Sequence, residues 1–194
     1  VMQILLPDDL RPYGGGWDVW LSKTQPIADS DATSALAIGN WLERPIADWA
    51  ALELGRDLIE ADTLQGPEDW IRATPDFWLV DGEEREGLEC KVSYKGRQWA
   101  DGVPPYVHLQ AAWCMLCADT DVWNVAAFLP MARKLDRWTL RRDARLEAEI
   151  IKRCGDWWET HVVQRKAPPT DGSASCTAGL VALFPTATDR VIDA

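Results

Sequence analysis

Residues 74–92 read TPDFWLVDGEEREGLECKV, and the fold turns on them. Phe77 to Val80 and Gly87 to Val92 are short apolar runs on either side of an acidic stretch, Asp81 to Glu86, that holds a glycine. That pattern predicts two strands joined by a solvated acidic hairpin loop. Side chains alternate along a strand, so Glu89 and Lys91, two apart, project from the same face. Asp76 stands at the entrance to the first strand, and hairpin pairing brings it beside them. Two carboxylates and an ammonium converging on one point suit a divalent cation with oxygen ligands. The ammonium would hold an attacking water or balance charge on a phosphoryl transition state. Charges set among Phe77, Leu79, Leu88 and Val92 need partners or a function; a structural ion pair beside a solvated acid is the plainer alternative.

Outward from this hairpin, apolar residues at Leu36, Ile38, Leu42, Ile46, Trp49 and Ala50 recur near the helical period, which predicts a helix over 33–54 with Pro45 as a kink or a segment boundary. Pro104 and Pro105 open a helix expected over 106–118, 124–129 reads as a third strand, and 140–163 as an amphipathic helix with Gly155 as a possible break. The order helix, strand, strand, helix, strand, helix is that of an α/β protein, a mixed central β-sheet flanked by helices. Residues 1–166 are expected to form one domain, and 167–194, opening on Ala-Pro-Pro-Thr-Asp-Gly-Ser, a C-terminal linker or tail.

The chain has 194 residues, enough for one domain with its own core, and no apolar run approaches the roughly 20 residues that cross a bilayer. Five cysteines, at 90, 114, 117, 154 and 176, are too sparse for a disulfide scaffold, and reduced buried thiols are expected. The twelve tryptophans are expected mainly as core anchors, with any exposed ones able to stack on bases. The net charge of −11 argues against sequence-blind coating of DNA, but the charge is uneven: residues 1–90 carry 6 Lys+Arg against 19 Asp+Glu, and 91–166 carry 13 against 9. Arg133, Lys134, Arg137, Arg141, Arg142 and Arg145 crowd into thirteen residues, read as a solvated helix face or a phosphate-contacting patch.

Thr74-Pro75-Asp76 followed by Glu89-x-Lys91 resembles the PD-(D/E)XK nuclease motif. The surrounding residues resemble one branch of that superfamily: 18–24 (DVWLSKT), 38–46 (IGNWLERPI), Trp99-x-x-Gly102 before Pro104 and Pro105, Gln110 with Met115, and Trp157-Trp158 ahead of Pro168 and Pro169. That branch is the YqaJ-like viral recombinase, or phage lambda exonuclease, family, and the resemblance spans residues 15–172. It implies a PD-(D/E)XK restriction-endonuclease-like core. Glu43 matches the family's additional acidic metal ligand, Asp76 and Glu89 its central ligands, Lys91 its catalytic lysine and Gln110 its helix glutamine. The backbone carbonyl of Cys90 is expected as a further metal ligand, and Tyr106 is a weaker candidate. Ala112 stands where the family has a second polar helix position.

The resemblance further implies a Mg²⁺-dependent deoxyribonuclease, with Mn²⁺ able to substitute and two ions per site, that digests one strand of linear double-stranded DNA from 5′ to 3′ in phage-type recombination. A ring-shaped homotrimer, a single-strand annealing partner protein, and a cytoplasmic location in a bacterial host as a phage or prophage product are implied with it. It also implies an Arg and a Gly-x-Ser-Asp element upstream of Val1 that helps bind the DNA end, so that the sequence is expected to be a fragment or shortened member. The alternatives are an endonuclease or another repair- or CRISPR-associated nuclease of the same fold, or an inactive DNA-binding module, against which intact Asp76, Glu89 and Lys91 argue. His108 and His161 share no motif and are expected to be incidental.

Overall fold

The computed structural model describes residues 1–11, 14–25 and 34–183. The chain divides into two compact units, one of Val1 with Ser30–Ile151 and one of Met2–Asp29 with Lys152–Ala194.

The first unit is built on a five-stranded sheet in the order β1-β4-β5-β6-β7, where β1 is Asp57–Glu60, β4 Phe77–Asp81, β5 Glu84–Val92, β6 Val122–Leu129 and β7 Lys134–Arg141. Only the β5–β6 pair is parallel, so the sheet is mixed. The sequence expectation of a mixed sheet with flanking helices is what the structure has. Helix α3, Ser34–Leu54, lays Ile46, Ala47, Ala50 and Ala51 on Phe77, Leu79, Leu88, Cys90 and Ala126. Helix α4, Pro105–Ala118, reaches Glu89 from the opposite face and makes the crossover that a parallel strand pair requires. A two-stranded ribbon, β2 (Leu64–Gln65) with β3 (Arg72–Ala73), lies against α4, whose Trp113 indole donates to the Arg72 carbonyl at 2.8 Å.

Pro45 does not divide or end α3: the helix runs on through it over 21 residues. An interior proline costs about 3 kcal/mol. The buried Ile46, Ala47, Ala50 and Ala51 surface beside it offsets that cost. The hairpin turn is tighter than expected. Asp81 pairs with Glu84, leaving only Gly82 and Glu83 as the loop, and Gly82 takes the positive φ, +60°, that the first central residue of a type II′ turn requires. Glu86, expected in the solvated loop, is a strand residue bound to Arg56 and Asn124.

Four strands were not expected: β2 and β3 of the ribbon, and β1 and β7 of the sheet. β1 is a four-residue edge strand following Gly55. β7 occupies the basic run expected on a helix face, and the following helix α5, Ala144–Trp158, starts four residues later than the predicted 140. Gly155 does not break α5, which passes at Glu159–Val163 into a π turn.

In the second unit, helix α2 (Gly16–Thr24) packs Trp17, Trp20 and Leu21 against Cys176, Leu180 and Leu183 of helix α6 (Ala174–Leu183), with a short helix α1 at Met2–Leu5. The 167–194 stretch expected as a linker therefore contains a packed helix, and the boundary expected after Lys166 falls inside this unit. The apolar run 174–183 has the surface to bury; Gly179 is close enough to Leu21 that a Cβ would stand 2.6 Å from its methyl. The Trp17 indole donates to the Pro169 carbonyl at 2.9 Å and ties the proline stretch down. All five cysteines are free and buried, as expected. Among the described residues Trp41 is the one tryptophan left exposed.

Candidate active site

Register and strand period bring the site together. The β4–β5 ladder ends at Phe77↔Leu88, one step before Asp76 would face Glu89. Asp76 is thus free of the ladder, and its Oδ2 accepts the Cys90 N–H at 2.7 Å. Glu89 is fully buried. Its Oε1 receives both the Lys91 ammonium, which is in close contact, and the Gln110 amide of α4 at 2.6 Å. Its Oε2 is buried and accepts from no donor group, while the Asp76 carboxyl stands close enough to interact directly with the Glu89 carboxyl. Glu43 enters from α3, half-buried, close enough to sense both Asp76 and Lys91. Tyr106, in the first turn of α4, is buried within electrostatic range of Lys91. The structure therefore brings Glu43, Asp76, Glu89, Lys91 and Gln110 to one point, with the Cys90 backbone between them. His161 sits in the other unit, its Nδ1 2.7 Å from the Lys166 carbonyl oxygen.

Neighbouring groups set the electrostatics. Burial pushes the Glu89 carboxyl up to about 7, with Asp76 adding to the rise and Lys91 opposing it. Asp76 is also raised, by burial, against the pull of Lys91 and of the Cys90 N–H. Glu43 is raised by burial and by the Asp76 charge. Burial alone would lower Lys91, but Glu89 and Asp76 outweigh it and hold the ammonium above its usual range. Lys91 is thereby a fixed cation and donor rather than a base. The Cys90 and Cys114 thiols are pushed up by burial and by the neighbouring carboxylates, so both stay protonated and unreactive.

Among the described residues no three His, Cys, Asp or Glu side chains stand together as a ready metal cluster. Lys91 takes Glu89 Oε1 and the Cys90 N–H takes Asp76 Oδ2. The donor set nonetheless fits a divalent cation. Three carboxylates face one ammonium, a formal charge of −2 when all are ionised, Asp76 raises both Glu43 and Glu89, and the orphaned Oε2 has a buried lone pair to give.

Two supporting features escaped the sequence reading. Gly87 pairs with Trp78 on one side and Trp123 on the other, and the two indoles meet edge to face at 5.7 Å across it. A Cβ on Gly87 would lie 2.2 Å from the Trp123 ring, so only glycine fits two residues before Glu89. Trp99, in the short helical turn Gly96–Trp99, stacks on Trp138 of β7 at 5.1 Å and pins the β5–α4 connection to the sheet. Gly87 in a strand between two aromatic positions was a readable signal; the Trp99–Trp138 pair depends on the unexpected β7.

No protein-family model and no curated protein matches the chain in sequence. Among solved structures it is similar to the alkaline exonuclease LHK-Exo from Laribacter hongkongensis, with a TM-score of 0.60 and 22% identity over 76% of this chain and 78% of that one. The same exonuclease in complex with dAMP matches at a TM-score of 0.61 and 21% identity, over 77% of this chain and 79% of that one. A phage-related exonuclease from Haemophilus somnus 129PT matches at 0.55 and 13% identity, covering 72% and 77%. With its five-stranded mixed sheet between helices, the chain has the fold of these exonuclease structures.

Proposed function

We propose that the chain is a metal-dependent deoxyribonuclease, an exonuclease that digests one strand of linear double-stranded DNA from 5′ to 3′ in phage-type recombination. The observation that carries the nuclease reading is Glu89: a fully buried carboxylate with one oxygen held by Lys91 and Gln110 and the other unpartnered, opposite Asp76. The direction, the recombination role, a ring-shaped assembly and an annealing partner rest on the sequence resemblance.

Glu43, Asp76, Glu89 and the Cys90 carbonyl would hold Mg²⁺ or Mn²⁺, two ions by the resemblance. When bound, the metal supplies Lewis acidity for water attack on a phosphodiester and for the departing oxygen. Gln110 keeps Glu89 oriented through its 2.6 Å hydrogen bond. The Cys90 N–H does the same for Asp76. Lys91, always charged, orients the attacking water by donation and offsets the negative charge that builds on the phosphoryl oxygens. The −2 excess on the protein side is what a divalent ion neutralises.

The test is digestion of end-labelled linear and closed circular duplex DNA with Mg²⁺, Mn²⁺ or EDTA. Metal-dependent loss of the linear substrate alone, with label released first from the 5′ end, supports the reading in full. Cleavage of the circle favours an endonuclease, and no cleavage in any metal overturns the enzyme.

A further inference from the structure

The β5–α4 connection and the β6–β7 turn leave the sheet side by side, at the end where β5 carries Lys91. Val92 pairs with Phe128, and the Ser93 N–H donates to the Phe128 carbonyl at 3.0 Å. Beyond that point the two segments expose an unusual set of side chains. Tyr94 is 60% exposed and Met131 76% exposed. Lys95, Arg97 and Arg133 are exposed cations for which the described residues supply no ion pair or side-chain hydrogen bond, while Lys134 beside them is taken by Asp136 at 2.7 Å. Arg133 sits in the left-handed region, φ +52°, which glycine or asparagine adopts more cheaply. Arg133 follows the Pro130–Ala132 turn directly and is exposed. Neither segment is loose: Trp99 on Trp138 fixes one to β7, and the Arg133 N–H closes the other onto the Pro130 carbonyl at 3.1 Å.

Three cations unpaired among the described residues, against one exposed acid, Asp101, lie on the two adjacent segments that carry this exposed aromatic ring; on a chain of net charge −11 they form a local excess of positive charge that suits a polyanion with flat faces to stack. We infer that Tyr94, with Lys95, Arg97 and Arg133, is the grip for single-stranded nucleic acid next to the candidate active site: the ring stacks on an unpaired base and the cations hold the phosphates on either side. Tyr94 lies three residues from Lys91, at most about 10 Å along the chain, so a base stacked there belongs to a nucleotide adjoining the phosphate at Lys91. A duplex keeps its bases stacked on each other and offers this surface phosphates alone, which is why the ring points to an unpaired strand. The inference rests on the nuclease reading for the meaning of the neighbouring site and not for the binding itself.

Binding is therefore read in EDTA, by fluorescence anisotropy with a labelled oligodeoxythymidine, for the unchanged chain and for Tyr94→Ala, Tyr94→Phe and Arg133→Gln. Melting curves establish that each variant is folded, which the exposure of both side chains favours. Tyr94→Ala is expected to weaken binding about tenfold and Tyr94→Phe to keep it. Arg133→Gln is expected to weaken it and lower the salt slope by about 0.7. Tyr94→Ala binding as tightly as the unchanged chain, or Tyr94→Phe binding as weakly as Tyr94→Ala, overturns the grip. Metal-dependent cleavage with unaltered Tyr94→Ala binding would sink the grip and leave the nuclease standing; Tyr94-dependent binding without cleavage in any metal would do the reverse.

Discussion

Glu86 and Glu89 lie three residues apart on β5, on opposite faces of the sheet, and the protein treats them differently. Glu86 is in charge balance: one oxygen pairs with Arg56 at 3.2 Å, the other accepts from Asn124 at 2.8 Å, and Asn124 in turn accepts from Thr139 at 2.9 Å, although Arg56 Nη1 is itself buried without a hydrogen-bond partner. One negative charge meets one positive charge, and the network stitches β5, β6 and β7 together. Glu89 is out of balance: three carboxylates face one ammonium, Asp76 raises both glutamates, and a buried oxygen has no partner. A polar set whose charges balance serves the fold, whereas a buried one that stores uncompensated charge is costly unless a ligand completes it. On that contrast we assign the proposed function to the Glu89 end.

The sharpest way to break the contrast is at Lys91. Lys91→Met is expected to lower cleavage of linear duplex DNA about 10³-fold, equivalent to about 4 kcal/mol in the barrier, measured as initial rates at saturating metal. The packing that supports the site comes next. Gly87→Ala drives a methyl into the Trp123 ring and is expected to cost about 3 kcal/mol in urea unfolding; no loss would mean that the two indoles shift freely.

The charge imbalance itself is read by pH. Glu89 titrates at about 7 in the folded chain against an ordinary 4.5, so the folded state holds that proton more tightly than the unfolded state. Its stabilising contribution is full below about 4.5 and is lost as pH rises through 7. In EDTA, unfolding free energy should fall by about 3 kcal/mol across that window, and Glu89→Gln should flatten the slope. The smallest effect is expected at the balanced end. Asn124→Ala removes the partner of Glu86 Oε2 and of the Thr139 hydroxyl, leaving the Arg56–Glu86 pair, and should cost about 1–2 kcal/mol of stability, while metal-dependent cleavage by the folded fraction persists.

How much of this could be read in the sequence follows from how local each signal is. The convergence of Asp76, Glu89 and Lys91 needs only a hairpin and a period of two, both written in residues 74–92. Gln110 and Glu43 are ordinary helix residues by themselves, and only the family pattern singles them out. β7 was hidden because its basic residues fall at spacings that suit a helix face, whereas Asp136, Trp138 and Leu140, the half-buried side of the strand, alternate by two. α6 was hidden by the Pro, Gly and Ser residues before it, since its helical state depends on apolar partners in α2, more than 150 residues away. Tyr94 and Arg133 are unremarkable in sequence, because their nearness arises from the parallel β5–β6 pairing, which no local pattern states.

The most direct test of the imbalance at Glu89 is a paired measurement on Asp76→Asn: metal-dependent cleavage of linear duplex DNA, and the melting temperature of the same preparation in EDTA at pH 8. Asparagine can still accept the Cys90 N–H but removes one of three crowded negative charges, so cleavage should be lost while the melting temperature holds or rises. Cleavage that survives the substitution, or a melting temperature that falls by many degrees, would contradict the account.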